Sequence, residues 1–265
     1  MTSEYTGGGQ PDRSLAVLWR TRPGPARGPR PGLDVDQIIA TAIEVADREG
    51  LAAVSMRRIA DQLGVGTMSL YTYVPGKAEL LDAMADQVCA ETARPKHREG
   101  HWRDSLEQIA DQNWQLFLRH PWLLSLSTAR PPLGPQVTAK YDYELRAIDG
   151  IGLDDVEMDT VLSVVLGHTE STSRRALDAA RLAAQTKLSD EQWWAANAPI
   201  LEQLLDPTRF PIAVRVGQAA GQAHNAAANP RAEFEFGLQR FLDGVQNLLE
   251  SRTPDIDRPR SPVDA

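Results

Sequence analysis

Apolar positions in the stretch 55–77 follow a helical spacing that is interrupted once, at Gly64. Before the glycine, apolar residues recur at intervals of three and four, which predicts a short helix with one apolar face. These residues are Met56, Ile59, Ala60 and Leu63. Glycine in a left-handed conformation commonly ends a helix, so the first helix is predicted to end at Gly64. A second helix is predicted over Thr67–Tyr73, because Pro75 and Gly76 then stop it.

Two short helices joined by a tight turn form a helix-turn-helix, whose second helix enters the major groove of DNA. Leu70 and Val74 are four residues apart and are predicted to pack inward. The exposed side would then carry hydrogen-bonding groups, namely Thr67, Ser69, Thr72 and Tyr73. The spacing alone leaves a second interpretation open, since helical proteins that never bind DNA also contain such pairs.

An arginine-rich stretch, residues 20–32, precedes this region and holds four prolines and three glycines. Such a composition excludes a helix or a central strand. We interpret residues 1–32 as a flexible basic arm, in which Leu15–Trp19 is an apolar patch able to dock on the body. Arg27 and Arg30 are predicted to contact DNA phosphates or the minor groove. A solvated linker is the alternative.

Helical patterns cover most of the remaining chain. Asp34 and Gln37 have the spacing of a capping box, and that helix is predicted to end at Gly50. Further helices are predicted at about 77–92, 102–119, 136–150, 156–185, 191–205 and 233–252. We predict a mobile loop over 217–232 and a disordered tail over 253–265. No strand pattern is found, so the predicted fold class is all-α.

Composition narrows the possible classes of protein. The 265 residues are 42% hydrophobic and 24% charged, as in an ordinary globular protein. The single cysteine, Cys89, excludes an internal disulfide and fits a reducing cytoplasm. No apolar run could span a membrane, and the polar residues 1–12 do not have the pattern of a signal peptide, so a cytoplasmic protein is expected. The net charge of −8 is carried mainly beyond residue 80, which leaves room for a local basic face near the N-terminus.

Enzyme motifs are missing from the sequence. It contains no glycine-rich phosphate loop, no Cys/His metal spacing and no nucleophile elbow, so neither catalytic residues nor a cofactor are predicted. An enzyme without a known motif and a helical adaptor that binds only protein remain as competing hypotheses. The adaptor would leave the basic arm and the polar helix unexplained.

Residues 33–92, which include GVGTMSLYTYVPGK, resemble the TetR family of bacterial transcriptional regulators. Two further segments, FLRHPWLL and FEFGLQRFLDGVQNLL, resemble the C-terminal domain of the tetracycline-repressor branch. The resemblance implies a DNA-binding domain at 33–92 and a ligand-binding and dimerisation domain at 93–252. It also implies a homodimer, formed by the helices at 156–185 and 233–252, that represses transcription at a palindromic double-stranded operator. A small-molecule inducer would release the dimer from DNA.

The resemblance assigns DNA contacts position by position. They fall on Ser55, Arg57, Thr67, Met68, Ser69, Tyr71, Thr72, Tyr73 and Lys77. Arg57 is suited to a guanine edge or a phosphate, and Lys77 at a helix start is suited to a phosphate. Thr72 stands where many members have an aromatic residue and Tyr73 where many have histidine. The operator of a relative therefore cannot be transferred to this protein.

Large aromatic side chains of the C-terminal region are the candidates for a ligand pocket. They are Trp114, Phe117, Trp122, Tyr141, His168 and Trp193. Packing in the core is the alternative for each of them. Tetracycline repressors hold a drug–magnesium chelate through a histidine and a glutamate. His168 and Glu170 are two residues apart on a predicted helix and do not share a face, so no metal ligand is predicted.

Overall fold

The structure, a computed structural model, describes residues 4–21, 33–97 and 100–252. Its elements are β1 (Glu4–Tyr5), α1 (Pro11–Leu18), α2 (Val35–Glu49), α3 (Met56–Leu63), α4 (Thr67–Leu70), α5 (Lys77–Cys89), α6 (Trp102–Arg119), β2 (Leu126–Ser127), α7 (Pro135–Leu145), α8 (Asp155–Thr186), α9 (Asp190–Leu204), α10 (Pro211–His224) and α11 (Pro230–Arg252). Short 3₁₀ helices occupy Leu51–Ala53 and Pro121–Ser125. The predicted all-α class is confirmed. No helix in these ranges is both long and apolar enough to cross a membrane.

The N-terminal residues differ from the predicted arm. Residues 4–20 form β1 and α1, and Val17 and Leu18 are buried against the body. The prediction of a flexible arm is therefore wrong for this part, and the apolar patch does dock. β1 pairs in parallel with β2, and at two residues each these strands are too short to show an alternating pattern. The predicted contacts Arg27 and Arg30 and the predicted tail lie outside the described residues.

The first core fills the space between α2, α3, α4 and α5. Its fully buried side chains include Ile38, Ile59, Leu70 and Leu80. Trp122 and its neighbours after α6 also belong to this core, although they lie in the predicted C-terminal domain, residues 93–252. The N-terminal half thus depends on packing from the C-terminal half.

The second core lies between α6, α8 and α11 and contains Trp114, Leu162, Phe234 and Leu242. In contrast, α9 has no buried residue and α10 has one, Gly221. The predicted mobile loop over 217–232 is wrong for most of its length. Alanine-rich sequence extends α10 to His224, and α11 begins at Pro230.

Candidate DNA-binding surface and ligand region

The helix-turn-helix forms as its local sequence signals predict. The Ser55 hydroxyl caps α3 by accepting the Arg58 amide at 3.2 Å. Gly64 has a φ of 66°, and the Val65 amide donates to the Ala60 carbonyl at 3.0 Å. This is the hydrogen bond that closes a glycine-ended helix, and it fixes the direction in which the chain enters α4.

The second helix is shorter than predicted. α4 ends at Leu70, and residues 71–73 form a turn. Proline disfavours helical geometry only in the residue before it, here Val74, so Pro75 does not account for an end as early as Leu70. Leu70 and Val74 are both fully buried, as predicted. This pair anchors the short helix and leaves its other side to solvent.

The predicted DNA contacts fall into two groups by exposure. Met68 is 77% exposed. Also exposed are Ser55, Arg57, Ser69, Tyr71 and Thr72, whereas Thr67, Tyr73 and Lys77 are half-buried. Ser55 caps α3, and the others belong to α3, α4, the turn after α4 or the first residue of α5. They therefore lie close together along the chain, within positions 55–77.

Two neighbouring arginines of α3 have different environments. The Arg58 guanidinium lies 2.7 Å from the Glu49 carboxylate. Hydrogen bonds from Arg58 and then from Arg48 lower the pKa of Glu49 to about 2. Arg57 is exposed, and within the described ranges it forms no ion pair. Arg57 is thus available to a ligand, whereas Arg58 is part of the fold.

Lys77 has a partner that the sequence did not predict. Its ammonium lies 2.6 Å from the carboxylate of Glu4, in β1. Each side chain is about one-third exposed. Lys77 occupies the first position of α5, where backbone N–H groups also favour an anion.

The two halves meet at a buried histidine that sequence reasoning missed. The His120 ring lies 2.8 Å from the carboxylate of Asp47 and 3.1 Å from that of Glu91. The Trp122 indole donates to Asp47 at 2.8 Å. Burial alone would raise the pKa of Glu91, but hydrogen bonds from His120 and Arg119 bring it below its usual value. The cluster joins α2 and the end of α5 to the segment that follows α6.

Buried carboxylates on α5 hold neighbouring segments. Asp86 accepts the amides of Gln136 and Val137, in the first turn of α7, at 3.0 and 2.8 Å. Asp82 accepts the amide of Gly7 at 2.8 Å. Burial raises the pKa of both carboxyl groups. Asp82 and Asp86 are four residues apart and therefore lie on one face of α5, which holds the backbone of both segments by hydrogen bonds.

The six predicted pocket residues do not line one cavity. Trp114 and His168 pack around Phe234 in the second core, with the His168 ring 3.0 Å from the Phe234 carbonyl oxygen. Phe117 and Trp122 belong to the first core, and the Tyr141 hydroxyl donates to Asp159 at 2.8 Å. Only Trp193 of the six lines one of the cavities described next. Burial in a core and burial around a cavity give the same sequence pattern, which explains the difference.

A cavity of about 360 Å³ opens between the end of α8, the start of α9 and the segment before α11. Its walls are mainly apolar and include Leu182, Leu188 and Trp193. Arg175 and Asp190 add one charge of each sign. Arg175 also lies 2.5 Å from Glu233. This shape and lining suit a molecule with an apolar body and a polar end.

A second cavity, of about 300 Å³, lies between α9 and α10. Gly221 lines it, and a Cβ atom at this position would come within 2.5 Å of the Trp194 ring. A third, shallower groove of about 430 Å³ runs between α8 and α11. Val156, Val164, Phe241 and Leu248 line this groove. Among the described residues there is no cluster of three or more side chains able to hold a metal ion.

Comparison with known proteins gives two family matches. Residues 38–84 match the bacterial regulatory proteins of the tetR family, and residues 94–249 match the tetracyclin repressor-like C-terminal domain. The chain is 38% identical over 252 residues to the HTH-type transcriptional repressor DrrR1 of Streptomyces coeruleorubidus, covering 95% of this chain and 91% of that protein. It is 24% identical over 227 residues to the tetracycline repressor protein class C of Escherichia coli, covering 85% and 95%.

A solved structure agrees with the fold and the family. It is that of the TetR family protein ActR of Streptomyces coelicolor in complex with actinorhodin, with a TM-score of 0.69 and 26% identity. The match covers 82% of this chain and 97% of ActR. The chain therefore belongs to the TetR family and is a DNA-binding transcriptional regulator, not an enzyme.

Proposed function

We propose that the protein is a repressor that binds a near-palindromic operator as a homodimer in the cytoplasm. An amphipathic small molecule bound in the C-terminal domain releases it. In this proposal residues 33–92 bind DNA and residues 93–252 bind the ligand and the second subunit. The observation that carries the proposal is the exposed surface of α3 and α4, on which Arg57 has no ion-pair partner among the described residues.

The proposed DNA contacts divide by chemistry. Arg57, Ser69 and Thr72 are exposed hydrogen-bonding groups suited to base edges or phosphates. Met68 offers an apolar contact, of the kind that a thymine methyl group accepts. Lys77, Arg27 and Arg30 would bind phosphates and so contribute affinity without sequence preference.

The proposed dimer rests on the groove between α8 and α11. Val156 and Phe236 are 74% and 67% exposed on these helices. An exposed apolar surface of this kind marks an interaction site. A two-fold axis through this face presents two equivalent DNA-reading helices, so the half-sites must be inverted repeats.

The proposed ligand site is the cavity beside Trp193. Its apolar walls with Arg175 and Asp190 suit an amphipathic ligand, and the similar protein ActR is solved with actinorhodin bound. A ligand that weakens operator binding about 100-fold must favour the released form by roughly 2.7 kcal/mol, which is within ordinary allosteric coupling. Operator DNA must then weaken ligand binding by the same factor.

Two neighbouring arginine variants test the DNA surface. Arg57→Ala is expected to cost about 1–3 kcal/mol of operator affinity per half-site and to leave the melting temperature unchanged. Thr67→Ala should also weaken binding. Arg58→Ala is the matched control, because Arg58 is held by Glu49 and should affect folding rather than DNA affinity. The measurement is a gel shift with the promoter DNA beside the protein's own gene. Normal binding by Arg57→Ala, or an equal loss with Arg58→Ala, would contradict the proposed surface.

The inducer is tested by titration. A compound found by thermal-shift screening is added while tryptophan fluorescence is followed, with and without operator DNA. We expect weaker binding in the presence of operator. Because Trp193→Ala removes a reporter tryptophan, this variant is tested by thermal shift, and the compound should no longer shift its melting temperature. Equal affinity in the two titrations would rule out that compound as the inducer.

A further inference from the structure

Residues 4–20, which we call the N-terminal strap, contact both halves of the protein. On the C-terminal side, Thr6 donates its amide to the Ser127 carbonyl at 3.0 Å and its hydroxyl to the Arg130 carbonyl at 2.6 Å. The Trp19 indole donates to the Leu133 carbonyl at 2.8 Å. Thr6 is almost completely buried, so the start of the strap is held firmly.

On the DNA-binding side, the strap packs along α5. Val17 and Leu18 enter the first core, and the Gly7 amide donates to the buried carboxylate of Asp82. Arg20 closes the strap with an ion pair of 2.7 Å to Asp36 of α2. The strap therefore bridges the two halves and has a defined conformation from end to end.

These contacts fix the position of Glu4. It begins β1, in register with Leu126, and its neighbours Thr6 and Gly7 are both hydrogen-bonded. The Glu4 carboxylate is thereby held 2.6 Å from the Lys77 ammonium. Because both side chains are only about one-third exposed, salt screens the pair less than an ion pair in open solvent.

The same ammonium is the proposed phosphate contact of the DNA-binding surface. A DNA phosphate that approaches Lys77 meets the Glu4 carboxylate already hydrogen-bonded there, and the two anions repel each other. Binding must therefore break the ion pair or accept the repulsion, and either one costs free energy.

We propose that Glu4 is an internal competitor of DNA phosphate for Lys77, held in place by the strap. The inference rests on the proposed role of Lys77 in DNA binding. The docked strap lowers the affinity for DNA, and any event that moves Glu4 away from Lys77 raises it. By reciprocity, bound DNA weakens the docking of Glu4 to the same extent.

The test compares two charge-removing variants of the strap. Asp12 is exposed on α1, so Asp12→Asn changes the net charge as Glu4→Gln does but leaves Lys77 paired. Affinity is measured for random-sequence duplex DNA at low salt, because the contact concerns phosphate rather than base sequence. We expect Glu4→Gln to bind about two- to fivefold more tightly than Asp12→Asn, as the loss of a partly exposed ion pair implies. Equal affinities of the two variants would overturn the proposal.

The Lys77→Met background completes a double-mutant cycle. If Glu4 acts through Lys77, Glu4→Gln should have no advantage over Asp12→Asn in this background. A persisting advantage would overturn the competition. Failure of the underlying DNA-binding role looks different: Lys77→Met alone would then bind duplex DNA as tightly as the unchanged protein.

Discussion

The region from α2 to α5 and the helices α9 and α10 use apolar side chains in opposite ways. In α2 to α5, large residues such as Ile59 and Leu70 are completely buried within one subunit. In α9 and α10, Ile200, Leu204 and Ile212 are all more than half exposed. The first region is a finished core, whereas the second presents apolar surface to solvent.

The difference in apolar burial reflects the different functions expected of the two regions. A DNA-reading surface needs fixed geometry, so its helices are capped, packed and tied to the rest of the chain. Exposed apolar residues that lie together instead mark a place for a ligand or another protein surface. The cavities between α8, α9 and α10 lie in this region, and the groove for the proposed second subunit follows on α8 and α11. Small molecules are thus expected to bind beside α9 and α10, and the second subunit at the groove between α8 and α11.

The largest expected effect comes from comparing an isoleucine-to-alanine substitution in each of the two regions. Ile59→Ala removes a fully buried side chain and should lower the free energy of unfolding by about 2–5 kcal/mol. Ile200→Ala removes a side chain that is 59% exposed in one subunit and should change it by less than about 0.5 kcal/mol. Urea unfolding followed by circular dichroism measures both.

Dilution distinguishes the two ways in which this comparison could fail. If Ile200→Ala lowers the free energy of unfolding as much as Ile59→Ala does at high protein concentration but not at low concentration, a second subunit covers α9. Equal costs at every concentration would mean that α9 is buried within its own subunit, and the contrast between the regions would be wrong.

An intermediate effect is expected at the junction of the two halves. Asp47→Ala leaves the Trp122 indole and a His120 ring nitrogen without their acceptor and should cost about 1–3 kcal/mol of unfolding free energy. Asp47→Asn keeps an acceptor oxygen and should cost clearly less. A loss of the same size in both variants would show that the charge, not the hydrogen bonds, joins the halves. No loss in either would mean that the DNA-reading half needs no support from the segment after α6.

The helices that were predicted correctly depend on signals between residues close together in the sequence. The capping box at Asp34 and Gln37 forms as expected, as do the Ser55 cap and the left-handed Gly64. Each depends on residues within a few positions of one another, and the helical period then identifies α2, α3 and α5. The DNA-binding candidates follow from this local pattern, although their contacts with DNA stay a prediction.

Contacts between distant residues explain what the sequence did not reveal. The pair of Glu4 and Lys77 spans 73 positions, as does that of Asp47 and His120. No periodicity relates such positions, so the Glu4–Lys77 pair and the buried histidine were missed, although docking of the apolar patch Leu15–Trp19 was expected. The ligand-pocket residues stay a prediction for another reason, since an aromatic residue in a core and one beside a cavity look alike in sequence. Trp114 packs on Phe234, whereas Trp193 lines a cavity.

The smallest expected effect concerns a surface ion pair of the DNA-reading half. Hydrogen bonds from Arg58 and Arg48 lower the pKa of Glu49 to about 2 in the folded protein, below its value of about 4.5 in the unfolded chain. A lowered pKa stabilises the fold above the unfolded value, and this contribution is lost as the pH falls toward 2. Glu49→Gln should therefore reduce the urea midpoint slightly at pH 6 and progressively less below about pH 4.5.

Urea is the suitable denaturant because it leaves ionic strength unchanged. Glu202→Gln on α9 is the control, since the exposed Glu202 forms no ion pair within the described ranges and its substitution should shift the midpoint little at any pH. A difference between Glu49→Gln and the unchanged protein that stays constant from pH 6 to pH 3 would mean that the charge of Glu49 adds nothing to the stability of the fold.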